Sequence, residues 1–461
     1  MFKAQLPKEN LIMHSNLSRK GPLLQPSVHL DDPTITRFAG LIPVFLFAEK
    51  ILNLTNRLRD ASSDARSRVS FPVQHLFSAF MAASLAGVQK LAHLELLRHD
   101  RVFQKMVRLK AWPTRKVFAQ ALDASDQTIR GLSHLITDLG CSTISKQQDY
   151  VLDFDTTALL AYGQQEGTCF GYNGKGRNRR RYHPIVAAVG ETSAVVNASF
   201  RDGTALKAEE YTEFLLSTVE KTAARLAGPL TAIRADSGFW SRHLMQTLVD
   251  RKIPFAIVHP MYKPLQLLFW KVVFVPQPDD PNLELGVVPG PDMGLPEEVR
   301  VVIIRRRVHD PKTPPQGKKA NGDPHWRYQA IATTLSNDRP PVDVWRFYNH
   351  RAEIERVFRD GKQELGLGWL VSHSLRGNET AFLLRLLAMN VDILFNQSAR
   401  HRAKERGEKV QELGLGYRQT RLYNLAGRLV NRGGAWHLRL PPNRMIGSLF
   451  RFYAHDLQVS F

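Results

Sequence analysis

Cysteine is nearly missing: Cys141 and Cys169 are the only two in 461 residues. Their spacing suits neither a disulfide framework nor a thiolate metal site, and so few thiols fit a reducing cytoplasm. Long apolar runs are missing too. The longest early one, Leu41 to Ala48, contains Pro43 and stops at Glu49, too short to span a bilayer. Residues 1–30 are polar with scattered Lys and Pro, without the apolar centre of a signal peptide. No membrane association is therefore expected. Acidic residues are the third shortage, 43 against 63 Lys and Arg, for a net charge of +20 and a pI near 10.0. That imbalance points to a polyanionic partner, here nucleic acid.

What is present is a globular composition, 43% hydrophobic with 24 Phe, in a chain long enough for two or three domains. Residues 1–35 read as a flexible lead-in. Residues 36–148 read as an all-helical N-terminal DNA-binding domain, because Val44-Phe45-Ala48-Ile51-Leu52 and Leu76-Phe77-Phe80-Met81-Leu85 recur at helical spacing. Pro113 to Leu122 and Asp126 to Leu139, around an Asp-Ala-Ser-Asp turn with Asp126 as N-cap, resemble a helix-turn-helix. From Tyr150 the pattern changes. Strands at 150–160, 184–189 and 194–200, a helix at 208–226, a strand at 230–236, a helix at 242–252 and a strand at 253–258 predict an α/β domain with a mixed sheet. Between 261 and 335, stretches 268–275, 299–306 and 328–335 read as strands of a β-rich insertion, separated by loops such as 276–298. The α/β core, residues 149–260, resumes at 336–398 with an apolar helix at 381–396. A helical, basic C-terminal region, 399–461, comes after it.

The most informative stretch is Tyr348 to Lys362. Val342, Trp345, Ile354, Val357 and Phe358 recur near a helical period, with no proline after Pro341, so a helix is expected. On it Tyr348, Arg351, Glu355, Arg359 and Lys362 fall within about 80° of one another. Any single Glu-Arg pair is ordinarily a solvated ion pair. One carboxylate among several cations instead suits a metal beside an anionic substrate, and it requires further carboxylates elsewhere. Candidates are Asp153 and Asp155, on one face of the first strand, and Asp236, at a strand end before Gly238. A lone strand-end Asp is more often a cap; three carboxylates beside a cationic face ask for more. Mg²⁺ is held by a few carboxylates, and two such ions about 4 Å apart serve phosphodiester displacement. The glycine-rich stretch 171–181, with Lys175, Arg177, Arg179, Arg180 and Arg181, reads as a loop suited to phosphate contact.

Asp155-Thr156-Thr157 after a strand, Asp236-Ser237-Gly238 and Tyr348-x2-Arg351-x3-Glu355-x6-Lys362 resemble the DDE transposases of bacterial insertion sequences. More narrowly they resemble the insertion-sequence-four superfamily, with its Tyr-Arg-Glu-Lys signature, and its 1380 group, to which Gln165-Glu166-Gly167 and Tyr182-His183-Pro184 are also similar. The resemblance implies an RNase H-like catalytic core with a β-strand insertion before the third carboxylate. It implies two Mg²⁺ ions, replaceable by Mn²⁺, on Asp155, Asp236 and Glu355, with Tyr348, Arg351 and Lys362 on the backbone of double-stranded DNA. It also implies strand cleavage and transfer by a homodimer in a synaptic complex, in a bacterial cytoplasm at the nucleoid. Asp153 competes with Asp155 for the first ligand position, and adjacency to Thr156-Thr157 favours Asp155. Trp270 or Trp326 would be the aromatic on which some relatives stack a flipped base, although a buried strand Trp is the commoner case. His183 and His259 read as structural. A nuclease on the same core and a non-catalytic DNA-binding protein are the alternatives.

Overall fold

The computed structural model describes residues 31–64, 71–173, 176–204, 207–307, 325–409, 412–442 and 444–454. The chain separates into two units, Met1–Pro33 and Thr34–Phe461. Nearly all of the lead-in, and Lys175, lie outside the described residues.

The second unit begins with a short strand, β1 (Ile35–Thr36), and then helices α1 (Leu41–Lys50), α2 (Leu54–Ala61), α3 (Val73–Leu85), α4 (Arg101–Met106), α5 (Arg115–Leu122) and α6 (Asp126–Cys141). The cap of α6 is Ser125, one residue earlier than expected, whose Oγ accepts from the Thr128 amide at 3.1 Å. The second helix of the expected helix-turn-helix is a core helix. Leu132, Leu135, Ile136 and Leu139 are buried, and a Cβ at Gly140 would lie 2.2 Å from the Val195 carbonyl oxygen.

The α/β region keeps the expected order, with β2 (Tyr150–Thr156), β3 (Leu159–Leu160), β4 (Cys169–Asn173), β5 (Gly176–Tyr182), β6 (Ile185–Val189), β7 (Val195–Ser199), α7 (Ala208–Ala223), β8 (Leu230–Ala235), α8 (Arg242–Asp250) and β9 (Phe255–Val258). The glycine-rich stretch read as a loop is mostly strand. β4 and β5 pair antiparallel, with β3 on the other side of β5, because Phe170, Arg180 and their neighbours take cross-strand partners that outweigh the glycines.

The next segment carries α9 (Lys263–Leu268), β10 (Val275–Gln277), β11 (Asp280–Pro289), β12 (Arg300–Arg307) and β13 (Trp326–Thr333). Two expectations fail here. Residues 268–275, read as strand, are helical turns up to Lys271 and join a strand only at Val275, and Phe269 in those turns stacks on Tyr328 at 4.8 Å. Residues 276–298, read as loop, contain the ten-residue β11, whose Leu283 and Leu285 bury against α10 (Pro341–Asn349) despite the flanking prolines and acids. Nine strands form one sheet in the order β10-β11-β12-β13-β9-β8-β2-β6-β7, so the insertion extends the central sheet. Among the described residues only β2 with β8 and β8 with β9 run parallel.

The expected single helix around Tyr348 breaks. α10 ends at Asn349 and α11 (Ala352–Gln363) starts beyond Arg351, which sits at its N-cap. Then comes α12 (Leu375–Glu405), longer than the apolar stretch alone indicates. One apolar cluster joins Phe77 and Phe80 of α3, Leu135 of α6, Val195 of β7, Ile354 and Val357 of α11 and Leu383 and Phe395 of α12. The edge strand β7 is covered by α12. Asn390 accepts from the Val195 amide at 2.9 Å and donates to its carbonyl at 2.7 Å. A second cluster fills the opposite face of the sheet, with Leu152 and Phe154 against Leu215 and Leu244. The C-terminal region is not helical throughout. After α13 (Leu415–Arg418) come β14 (Gly427–Arg432) and β15 (Ala435–Arg439), then α14 (Arg444–Ala454). No helix among the described residues is long and apolar enough to cross a membrane.

Candidate active site

Alternation along β2 sends Leu152 and Phe154 into one core and Asp153 and Asp155 to the other face. On the adjacent parallel strand Phe154 is in register with Ala235, so Asp155 and Asp236 are the next residues at neighbouring strand ends. Asp236 Oδ1 accepts from the Gly238 amide at 2.9 Å and starts the short turn Ser237–Phe239. Asp155 Oδ1 accepts from the Thr156 amide at 2.8 Å and from Arg351 Nη2 at 3.0 Å.

Glu355 lies in the first turn of α11, 4.0 Å from Arg351 Nη1, with its side chain 69% exposed. Asp155 feels the other two carboxylates. Burial pushes the Asp155 carboxyl up to about 6; the Arg351 guanidinium opposes the shift, and the charges of Asp236 and Glu355 add to it.

Arg351 is the hub. It is buried, donates to the Phe154 carbonyl at 3.2 Å, and keeps one Nε without a hydrogen-bond partner among the described residues. Tyr348 is buried beside it, its phenol pushed up to about 12 by burial, with Asp236 and Asp155 adding and Arg351 opposing. At the far end of α11, Lys362 Nζ donates to Thr157 Oγ1 at 2.5 Å and to the Ala158 carbonyl at 3.3 Å. The helix that carries Glu355 is thereby tied at both ends to the segment that carries Asp155.

Asp153 is engaged elsewhere. Both its oxygens accept from Arg234, at 2.6 and 2.8 Å, in a pair whose side chains are 1% and 4% exposed. Arg234 Nη1 also donates to the Phe347 carbonyl at 2.7 Å, near the end of α10. Sequence reasoning missed Arg234, although an arginine inside the apolar strand 230–235 calls for a buried acid.

The remaining candidates spread out. Arg359 is exposed and pairs with Asp360 at 3.1 Å. Arg179 is exposed near Tyr162, Arg180 lies over Phe170 and donates to the Thr168 carbonyl at 2.9 Å, and Arg181 is buried. The side chain of Arg177 is outside the described residues. Trp270 is not a buried strand residue but an exposed turn residue, whereas Trp326 lies between Arg305 and Arg307 at 4.6 and 5.4 Å. Burial holds His183 down at about 4, with Arg181 and Arg201 adding.

Carboxylate oxygens are hard donors that fit a divalent cation in chemistry. As the side chains stand, however, no three His, Cys, Asp or Glu among the described residues are close enough to hold one ion.

The raised Asp155 carboxyl gives a pH expectation for the metal-free protein. A group that binds its proton more tightly when folded stabilises the fold at low pH and loses that contribution as pH rises, here between about 4 and 6. The loss is on the order of 2 to 3 kcal/mol. Urea unfolding at pH 4.5 and 7 checks it, and Asp155→Asn is expected to flatten this part of the profile. An unchanged profile in the variant would contradict the assignment.

The family model described as Transposase DDE domain group 1 matches residues 28–273, which include Asp155 and Asp236 and end before Glu355. Among solved structures, the chain is similar to the piggyBac transposase in a synaptic complex with hairpin DNA, at 12% identity over 84% of this chain and 80% of that one, with a TM-score of 0.44. It is similar to the Drosophila P element transposase in a strand transfer complex, at 14% identity over 48% of each chain, with a TM-score of 0.24. No curated protein matches. With more than half of its residues under that family model, the chain belongs to the group 1 family of DDE transposase domains.

Proposed function

We propose that this protein is a transposase that cleaves DNA strands and transfers them at the terminal inverted repeats of a bacterial insertion sequence, by cut-and-paste transposition. The observation that carries the reading is the placement of Asp155 and Asp236 at adjacent parallel strand ends, with Arg351 bridging Asp155 to the helix of Glu355. The strand order β7-β6-β2-β8-β9, antiparallel for three strands and parallel for the rest, supports an RNase H-like core. The Tyr348-Arg351-Glu355-Lys362 spacing supports a place in the insertion-sequence-four superfamily and its 1380 group.

In this reading Asp155, Asp236 and Glu355 hold two Mg²⁺ ions, or Mn²⁺ in their place. When bound, the ions supply positive charge to the attacking and leaving oxygens of a phosphodiester. Arg351 pairs with Asp155 and orients its carboxylate. Arg351 also serves in this reading as a contact to the DNA backbone. Glu355, standing out from the first turn of α11, would supply the third carboxylate. Tyr348 and Lys362 act first as positioning residues, the one fixing the guanidinium and the other fixing α11 on Thr157. Arg359 and Arg179, both exposed, face the phosphates. The working form is a homodimer on its DNA in the bacterial cytoplasm.

The test is incubation of a labelled duplex that ends in the element's inverted repeat, with Mg²⁺ or Mn²⁺ and with chelator. Nicking at the element end followed by strand joining is the expected result. Unspecific cutting would make the protein a nuclease on the same core, and binding without cutting would make it a non-catalytic DNA-binding protein.

A further inference from the structure

Away from the active site, positive charge gathers on the C-terminal sheet. Between Leu413 and Ala454 the chain has seven arginines and neither Asp nor Glu. Part of this stretch is the hairpin of β14 and β15, completed into three strands by β1, which pairs Ile35 with Arg428. Its two-residue turn is Gly433-Gly434, with φ +59° and +82°. Two positive φ values in succession match the hairpin turn whose twist suits the flanking strands, and glycine takes them without strain. The turn fixes the register: Arg432 opposite Ala435, Val430 opposite His437, Arg428 opposite Arg439.

Register then sorts the side chains. Leu429, Trp436 and Leu438 point inward, against Ile42 and Leu46 of α1 and Val102 and Met106 of α4. Lys105 lies over the Trp436 ring at 4.8 Å. The other face carries Arg428, Arg432, His437 and Arg439, all exposed. Arg428 and Arg439 are directly opposed, so the two strands present their cations side by side on this face. Along β14, Arg428 and Arg432 are about 13 Å apart, a fixed spacing within the reach of one duplex backbone.

We propose that the outer face of this sheet is a second contact for double-stranded DNA, on a different sheet from Asp155 and Asp236, holding phosphates through Arg428, Arg432 and Arg439. Among the described residues this face carries no exposed Phe, Tyr or Trp; His437 is its one aromatic ring, where a single-strand binder stacks successive bases on several. It also has no outward row of apolar side chains for lipid insertion. An anchored β-ribbon with arginines on one face fits the backbone of a duplex, and it binds without regard to sequence. This extends the DNA-binding part of the transposase reading but does not depend on the catalytic assignment.

The experiment measures binding of the full chain to a random-sequence duplex by fluorescence anisotropy, between 50 and 200 mM salt. Arg432→Gln with Arg439→Gln is expected to lower the slope of log affinity against log salt by about two, one for each phosphate that no longer meets an arginine. Arg432→Lys with Arg439→Lys is expected to retain the slope. Ala435→Glu, which adds a carboxylate to the same face, is expected to weaken binding without touching an arginine. Unchanged thermal unfolding in each variant assigns the effect to the surface. An unchanged slope with DNA still bound overturns this surface alone. Failure of the wild type to bind any duplex overturns it together with the transposase reading. Loss of binding to vesicles containing phosphatidylserine, with duplex binding intact, makes the face a lipid contact and overturns the proposal.

Discussion

Glu355→Ala is expected to bind an element-end duplex as the wild type does and to nick it on the order of 10³-fold more slowly or worse. Binding and folding survive because the Glu355 side chain is mostly exposed and makes only a 4.0 Å contact with Arg351. Exposed pairs of this kind contribute at most about 1 kcal/mol. Catalysis fails because no other carboxylate of α11 lies on the side that meets Asp155; Glu353 pairs instead with Arg356 at 3.0 Å. Asp236→Asn is expected to behave alike, since an amide still caps the turn at Gly238 but carries no charge. Gel-resolved cleavage alongside anisotropy separates the two properties. Wild-type nicking by Glu355→Ala would remove Glu355 from the site.

Arg234→Ala is expected to destabilise the protein by about 3 to 5 kcal/mol, the usual cost of leaving one member of a buried ion pair alone. Asp153 would keep a carboxylate, 1% exposed, with its principal partner gone. Burial already pushes that carboxyl upward against the pull of Arg234, so the variant is expected to protonate Asp153 at a higher pH than the wild type does. The paired replacement Asp153→Leu with Arg234→Met is expected to recover most of the stability, because apolar groups of similar size fill such sites well. It would not restore the hydrogen bond from Arg234 to the Phe347 carbonyl. Restored urea stability with slowed nicking would therefore identify Arg234 as a positioning residue for the α10-α11 junction. Full activity in the double variant would reduce the pair to a stability element. Gly190 is part of this arrangement: a Cβ there would meet Arg234 Nη2 at 2.6 Å.

The strands that bear Asp155 and Asp236 were legible because both are short apolar runs with turn residues behind them. Alternation alone left Asp153 and Asp155 equivalent. Arg234, 81 residues away, distinguishes them by taking both oxygens of Asp153. The break between α10 and α11 was not legible, since neither glycine nor proline marks His350 and Arg351. It arises from tertiary pull, as Arg351 turns inward to Asp155 and the Phe154 carbonyl. In β11 the prolines and acids of 276–298 hid a strand that pairs from Leu283 to Pro289 with β12. In the 171–181 stretch the glycines suggested a loop, while cross-strand partners beyond local reach made a hairpin. The C-terminal strands escaped notice for a similar reason: their apolar side is narrow and its partners lie on α1 and α4, near the other end of the chain.

That last pairing sets a timetable for synthesis. Thr36 of β1 is in register with Gly427 of β14, so β1 waits for a strand made about 390 residues after it. At ordinary elongation rates the gap of about 390 residues takes roughly 20 to 80 s, during which β1 has no neighbour and α1 and α4 lack their cover. A contact so distant along the chain forms slowly and after the local helices. A polypeptide released before residue 427 would carry Asp155, Asp236 and Glu355 yet leave β1 as an open edge, which makes premature termination a route to aggregation.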